Sequence, residues 1–348
     1  MSKIAVVLFN LGGPDTLAAV RPFLFNLFND PAILRMPKVL RYLLAKLISG
    51  LRANKARGIY ARMGGGSPLL PNTVAQAKAL GAALIAEGMD ARVFVCMRYW
   101  HPMSAEVVQE VFDFAPDEIV LLPLYPQFST TTTGSSIDDW NKAWQTAGLS
   151  SIPTHSIGCY PTDTNLVAAF ADLSMPLINE ALAHVRPMIL LSAHGLPQSI
   201  VDAGDPYQCQ VEQTAMHIER ELRVRFGDVF DTTICYQSRV GPKKWIEPST
   251  DTVIKGAAAQ KRPIIVVPVA FVSDHSETLV ELDQDYRDLA LANGASFYGR
   301  VPSLACHPLF IKALILRIQK ALRKDKCENL CKDDMICFCK NVLESSSR

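Results

Sequence analysis

Eight short apolar runs, rich in β-branched residues, alternate with helix-length stretches along the whole chain. They fall at 4–9, 92–97, 118–123 and 153–157 in the first half, then at 188–192, 232–236, 264–269 and 296–301 in the second. Strands spaced in this way read as βαβ units in parallel sheets. The 348 residues are enough for about two domains. The halves also align with each other: the run 7–14, ending Leu11-Gly12-Gly13-Pro14, parallels 190–197, ending His194-Gly195-Leu196-Pro197, and 119–125 parallels 264–270. The predicted fold is therefore α/β, two similar Rossmann-like domains, each a four-stranded parallel sheet flanked by helices, with a cleft between them. Their expected extents are 1–150 and 151–308, followed by a helix and tail over 309–348. Open α/β sheets bind ligands at the carboxyl ends of their strands, so the residues there are the ones to read for chemistry.

Charge narrows the function. Lys and Arg number 35 against 34 Asp and Glu, a net +1, which is not the basic surface of a nucleic-acid binder. Hydrophobic residues make up 49% and the mean hydropathy is +0.13, which leaves room for an apolar ligand or a membrane surface. The apolar run 4–9 is too short for a signal peptide, and the uncharged stretch 119–137 carries two prolines and a Ser/Thr-rich half, so it reads as strand plus loop and not as a spanning helix. A cytoplasmic protein is expected. Nine cysteines in a reducing compartment default to thiols or metal ligands.

Two segments break the strand–helix rhythm. Over 23–51 apolar side chains from Phe23 to Ile48 are punctuated by Arg35, Lys38, Arg41 and Lys46, with Asp30 the single acid. That composition suits a lid or an interfacial helix, and an amphipathic core helix is the plainer reading. From Lys324 the tail is charged and carries Cys327, Cys331, Cys337 and Cys339, a spacing that points to zinc or an iron–sulfur cluster. Cys159, just after a strand, could join them.

His194 follows one apolar run, where the chain turns at Gly195. Asp274, Glu277, Glu281 and Asp285 gather acids at the start of a helix after another. Like charges at i, i+4 weaken a helix, so a ladder of Glu277, Glu281 and Asp285 suggests bound cations or shared protons; Asp274 and Glu277 also fit a capping box. His275 is either a further ligand or a surface residue. In the first half, Arg98, Tyr99, Tyr125 and Ser129 offer a guanidinium, phenols and a hydroxyl suited to ligand carboxylates. Tyr60 and Arg62 precede Gly64-Gly65-Gly66-Ser67-Pro68, which lacks the Lys-Ser/Thr ending of a phosphate loop.

Seven ordered motifs resemble the ferrochelatase family: Leu11-Gly12-Gly13-Pro14, Gly64-Gly65-Gly66-Ser67-Pro68-Leu69, Arg98-Tyr99-Trp100-His101-Pro102, 122–129, Ser192-Ala193-His194-Gly195-Leu196-Pro197, 236–242 and 273–283. The resemblance runs from about residue 4 to 320. It implies chelatase-type domains and insertion of Fe²⁺ into protoporphyrin IX with release of two protons. It also implies His194 and Glu277 as the catalytic and metal-holding pair, Asp274, Glu281 and Asp285 on a proton or metal path, and Leu11, Tyr60, Arg62, Arg98, Tyr99, Tyr125 and Ser129 at porphyrin-contacting positions. The segment 23–51 is similar to the family's active-site lip, which touches the membrane. The tail is similar to the [2Fe–2S] extension of some members, with Cys159, Cys331, Cys337 and Cys339 as ligands and Cys327 as a competitor. The same fold would serve a coproporphyrin ferrochelatase or a cobalt chelatase, and a haem-binding or redox-sensing iron–sulfur protein is a reading of another class. Both a monomer and a homodimer fit the sequence.

Overall fold

The computed structural model describes residues 2–239 and 241–323. They form two compact units: one runs to Cys159 and takes in the last helix from Leu314, and the other spans Tyr160–Ala313. The division falls after 159 and not at 150 because the strand at 154–156 pairs with the first sheet.

The first unit is ordered β1 (Lys3–Asn10), α1 (Val20–Phe28), α2 (Lys38–Ala61), α3 (Leu69–Ala86), β2 (Asp90–Met97), α4 (Ser104–Asp113), β3 (Glu118–Pro123), a π-helical turn (Thr130–Gly134) leading into α5 (Ser135–Thr146), and β4 (Thr154–Ser156). The second is ordered α6 (Thr164–Ala181), β5 (Met188–His194), α7 (Gln198–Asp202), α8 (Tyr207–Phe226), β6 (Asp231–Gln237), α9 (Thr250–Ala259), β7 (Pro263–Pro268), a π-helical segment (Glu277–Asp285) leading into α10 (Tyr286–Ala292), and β8 (Phe297–Arg300), after which comes α11 (Pro308–Leu322).

Both sheets are parallel throughout and share one order, β2-β1-β3-β4 in the first and β6-β5-β7-β8 in the second. The expected repeat is thus a repeat of topology. It reaches further than the strands, because a π-helical turn follows β3 in one unit and β7 in the other. Burial explains the composition. The central strands β1 and β7 are covered on both faces, so Ile4-Ala5-Val6-Val7-Leu8-Phe9 and all of β7 are apolar and buried, while the edge strand β2 starts exposed at Asp90 and Arg92 and becomes buried only at Phe94, Cys96 and Met97. Phe9, Phe94, Val108, Leu121 and Trp140 belong to one core, and Leu190, Cys235, Ile254, Val266 and Leu282 to the other.

The segment 23–51 is two helices and not one. Phe23 and Leu24 of α1 are buried with Val20, Tyr60 and Tyr99, so this part behaves as core. The helix α2 continues to Ala61 and packs on α1 through a small-residue face of Ala45, Ser49 and Ala53, which leaves Val39, Leu40, Leu43, Leu47 and Leu51 between 58% and 75% exposed. No described helix is long and apolar enough to cross a membrane.

Candidate active site

His194 is the last residue of β5, in register with Gln237, the last of β6. The chain leaves β5 at Gly195, whose N–H donates to the Gln237 carbonyl at 2.8 Å, and a Cβ there would lie 2.8 Å from that same oxygen. Glycine is therefore what lets the two strand ends close on each other. On the other side, β7 ends at Pro268, and its connection carries His275 and then the π-helical segment that begins at Glu277.

These three strand ends bring together one polar cluster. His194 Nδ1 lies 2.7 Å from Glu277 Oε2, with the two side chains 40% and 24% exposed. The Ser238 hydroxyl is 3.1 Å from the same Glu277 oxygen and makes a short contact with Glu281 Oε2, while the Ser238 N–H donates to Glu281 Oε1 at 3.0 Å. Tyr286 donates its hydroxyl to Glu281 Oε1 at 3.0 Å, and the Gln237 amide reaches Glu277 at 3.5 Å. Tyr207 braces the strand end by donating to the His194 carbonyl at 3.1 Å.

Charge and burial set the proton affinities. Burial alone would disfavour a charged His194, but the Glu277 carboxylate and its hydrogen bond, with Glu281 behind, raise the imidazole above its ordinary value. Burial alone would push Glu277 up, yet the charge and hydrogen bond of His194, then His275 and Ser238, hold it down at about 2. Glu281 goes the other way, raised first by burial and then by the neighbouring Glu277 charge. The cluster therefore holds two carboxylates with opposite tendencies beside one imidazole. Such a divergence is the usual basis for dividing acid and base roles.

Other expected residues fall at different distances from this cluster. His275 is buried, its ring centroid 4.7 Å from that of Phe271 and tilted 43° to it, with Nε2 3.9 Å from Glu277 Oε1, so it is no surface residue. Asp274 is held by Arg300 and Ser303, at 2.9 and 2.8 Å, and the residue directly before the π-helical segment is Ser276. Asp285 ends on the exposed side, because a π-helix closes i→i+5 and each step of four falls short of a full turn. Gln237, Ser238, Tyr207 and Tyr286 are the residues that sequence reasoning missed. The signal for the first two was present: they stand at the end of the strand adjacent to β5, within the motif 236–242.

In the first unit the carboxylate that meets Arg98 and Tyr99 is the protein's own. Asp30, 3% exposed, accepts from Arg98 at 2.9 Å and from the Tyr99 hydroxyl at 2.7 Å, and it also bonds Ser135. Arg98 further donates to Ser135 at 2.7 Å and lies 3.4 Å from Asp139. Tyr60 and Ser129 are buried, Leu11 and Tyr125 half-buried, and Arg62 exposed. The glycine motifs pack backbone on backbone: the Ser67 N–H donates to the Pro14 carbonyl at 2.7 Å, and a Cβ at Gly66 would come within 2.3 Å of the Asp15 oxygen.

Cys159 is buried at 2% exposure, and Cys327, Cys331, Cys337 and Cys339 lie outside the described residues. Among the described residues no group of three or more His, Cys, Asp or Glu is placed to hold a metal ion.

Comparison with known proteins agrees with this architecture. The family model for Ferrochelatase matches residues 3–322. The ferrochelatase of Caulobacter vibrioides is 50% identical over 324 residues, covering 92% of this chain and 91% of its own, and that of Hyphomonas neptunium is 48% identical over 339 residues, covering 96% and 92%. Among solved structures, SirB from Bacillus subtilis with Fe³⁺ superposes with a TM-score of 0.57 at 10% identity, covering 92% of this chain and 96% of that one, a likeness of fold. The matched span contains both four-stranded sheets and every residue of the His194 cluster, and on that match the chain belongs to the ferrochelatase family.

Proposed function

We propose that this chain inserts Fe²⁺ into protoporphyrin IX, yielding protohaem and two protons. The observation that carries the reading is the His194–Glu277 pair, joined through Ser238 to Glu281 at the strand ends of one sheet. With Nδ1–H donated to Glu277, the neutral imidazole offers Nε2 to a pyrrole N–H, and the carboxylate stabilises the imidazolium that results. A serine hydroxyl has one proton to give. Between two carboxylate oxygens it donates to one and accepts from the other only if that one is protonated, and Glu281 has the raised proton affinity. The sequence His194, Glu277, Ser238, Glu281, Tyr286 is thus a route for the released protons. The imidazole and carboxylates also suit the incoming Fe²⁺.

In the first unit, Leu11, Arg62 and Tyr125 keep surface to offer the macrocycle, and Tyr60, Arg98, Tyr99 and Ser129 act from behind that surface. The exposed leucines of α2, on a helix of 24 residues without an acid, favour protoporphyrin over the four-carboxylate coproporphyrin. The same face suits peripheral contact with the cytoplasmic face of a membrane.

A [2Fe–2S] cluster fits an all-thiolate set of Cys159, Cys331, Cys337 and Cys339, with Cys327 as the alternative. Cys159 and the part of α11 leading to the tail belong to one compact unit, which supports the set. Such a cluster would supply a one-electron centre; iron and acid-labile sulfide in equal amounts would establish it.

The test of the activity is an anaerobic Fe²⁺-insertion assay with protoporphyrin IX and coproporphyrin in parallel, on the wild type and His194→Ala. Turnover of protoporphyrin lost in the variant is expected. Retained turnover would remove His194 from the reaction, and preference for coproporphyrin would change the substrate.

A further inference from the structure

The π-helical segment that carries Glu277 and Glu281 is gripped from outside by one residue of β8. Arg300, its side chain 7% exposed, spreads its guanidinium over two aspartates. Its Nε donates to Asp283 Oδ1 at 2.6 Å, Nη2 to Asp283 Oδ2 at 2.9 Å, and Nη1 to Asp274 Oδ1 at 2.9 Å. Asp274 stands before the segment and Asp283 near its far end, so one planar group spans most of its length. The Ser303 hydroxyl donates to the same Asp274 oxygen at 2.8 Å. From the same strand, Tyr298 donates its hydroxyl to the Leu282 carbonyl at 2.5 Å, and within the segment the Gln284 amide donates to the Leu279 carbonyl at 2.9 Å.

π-helical geometry is rare and recurs at functional sites. A segment so wound needs partners beyond its own backbone, and here β8 supplies them. The reach of the grip matters because Glu277 must meet His194 while Glu281 meets Ser238, and a slip of one residue would carry both carboxylates off the cluster.

We propose that Arg300 is a positioning residue for metal insertion: its forked contact with Asp274 and Asp283 fixes the register of the π-helical segment and so holds Glu277 on His194. The inference rests on the proposed roles of His194 and Glu277. Arg300 bonds neither of them; it acts through the backbone that carries Glu277. Lysine cannot replace it, because an ammonium keeps the charge but lacks the planar fork that engages both oxygens of Asp283 and one of Asp274 together.

The test uses the full chain with Arg300→Lys and Asp283→Asn, compared with the wild type in Fe²⁺ insertion and in the ¹H–¹⁵N signals of the His194 ring. A displaced carboxylate lowers the rate without touching macrocycle binding. The expected result for Arg300→Lys is a kcat roughly ten- to hundred-fold lower, a porphyrin KM within about two-fold of the wild type, and a shifted Nδ1–H signal. Asp283→Asn, which keeps the arginine and one carbonyl acceptor, shows a smaller change in the same direction, and it carries the test if Arg300→Lys is insoluble. Wild-type kcat in both variants, or an unmoved His194 signal beside a lowered kcat, overturns the proposal. His194→Ala, assayed alongside, separates this from failure of the site: if that variant turns over normally the roles of the pair are wrong, and the ring signal in Arg300→Lys still reports whether the arginine holds the pair together.

Discussion

Ser238 binds Glu281 twice, through its backbone N–H at 3.0 Å and through its hydroxyl, and it does so with φ at +64°. That is the left-handed region, which costs an L-residue roughly 1–2 kcal/mol. Strain of this kind persists where the surroundings over-determine it, and here Glu277 and Glu281 both depend on the serine oxygen.

Ser238→Gly and Ser238→Ala separate backbone from hydroxyl. Both delete the bridge between the carboxylates, so both should lower kcat for metal insertion. Glycine relieves the positive φ and alanine does not, so the glycine variant should be the more stable of the two by about 1 kcal/mol in urea unfolding. Equal stabilities would show that φ at 238 stores no strain, and normal kcat in either variant would remove the hydroxyl from the proton route.

The His194–Glu277 pair predicts a pH window. Glu277 is held at about 2 against an ordinary 4.5, so its contribution is present above pH 4.5 and is lost as pH falls toward 2. His194 is raised above 6.5, so its contribution is present below pH 6.5 and is lost as pH rises through the folded value. The stability that Glu277→Gln removes should therefore be greatest between pH 4.5 and 6.5 and should shrink as the solution becomes alkaline. Buried His275 titrates oppositely, favouring the fold above pH 6.5, but the substitution reaches it only through the longer 3.9 Å contact. Urea unfolding of wild type and variant from pH 5 to 9 checks this; a difference independent of pH would mean that the pair is not ionised.

Asp30 anchors the start of the α1–α2 turn to β2 and α5 by accepting from Arg98, Tyr99 and Ser135. Asp30→Ala should cost about 3 kcal/mol, because it leaves the largely buried Arg98 guanidinium with only the longer 3.4 Å carboxylate contact to Asp139. The double variant Asp30→Ala/Arg98→Met should recover part of that loss, since the stranded charge goes too. Denaturant midpoints of the single and double variants decide it, and additive losses would sink the coupling.

Most of the fold was legible in the sequence because parallel strands buried on both faces must be short, continuous and apolar, as 119–123 and 264–269 are, and because the two halves repeat. The positions of His194 and Glu277 were legible for a related reason: His194 ends one such run, and Glu277 opens the helical segment that follows another. Ser238 left only its place in the motif 236–242, and Arg300 left no signal. Their roles depend on a neighbouring strand's register and on π-helical winding, neither of which leaves a periodic mark. Arg98 and Tyr99 were read as ligand-facing because a guanidinium and a phenol suit a carboxylate, and the chain supplies that carboxylate itself, from Asp30, 68 residues away from Arg98.

Two glycines should respond to alanine with opposite signs. A Cβ at Gly195 meets the Gln237 carbonyl at 2.8 Å and the Trp245 ring at 3.3 Å, so Gly195→Ala must push β5 from β6 and should destabilise by about 1–3 kcal/mol. At Gly256, exposed in α9, the added Cβ meets nothing within 4 Å, and alanine there should stabilise by about 0.4–1 kcal/mol. Thermal unfolding of the two variants reads both signs, and a neutral Gly195→Ala would mean that the strand ends are not packed as tightly as the 2.8 Å contact requires.

The exposed face of α2 gives a test independent of catalysis. Val39, Leu43, Leu47 and Leu51 recur every four residues on the side away from Ala45, Ser49 and Ala53, with exposed Lys38, Lys46 and Lys55 on the same helix. A row of aliphatic side chains flanked by lysines buries its apolar face at a lipid interface and meets anionic headgroups with its charges. Leu43→Glu and Leu47→Glu alter neither the buried face nor the helix start, so unfolding midpoints should hold while binding to vesicles containing anionic lipid falls at least about ten-fold. Neutral vesicles should bind the wild type more weakly and with less salt dependence, because the lysines then have no partner charge. Vesicle binding that survives both substitutions would move the membrane contact off α2 and leave its leucines for the macrocycle alone.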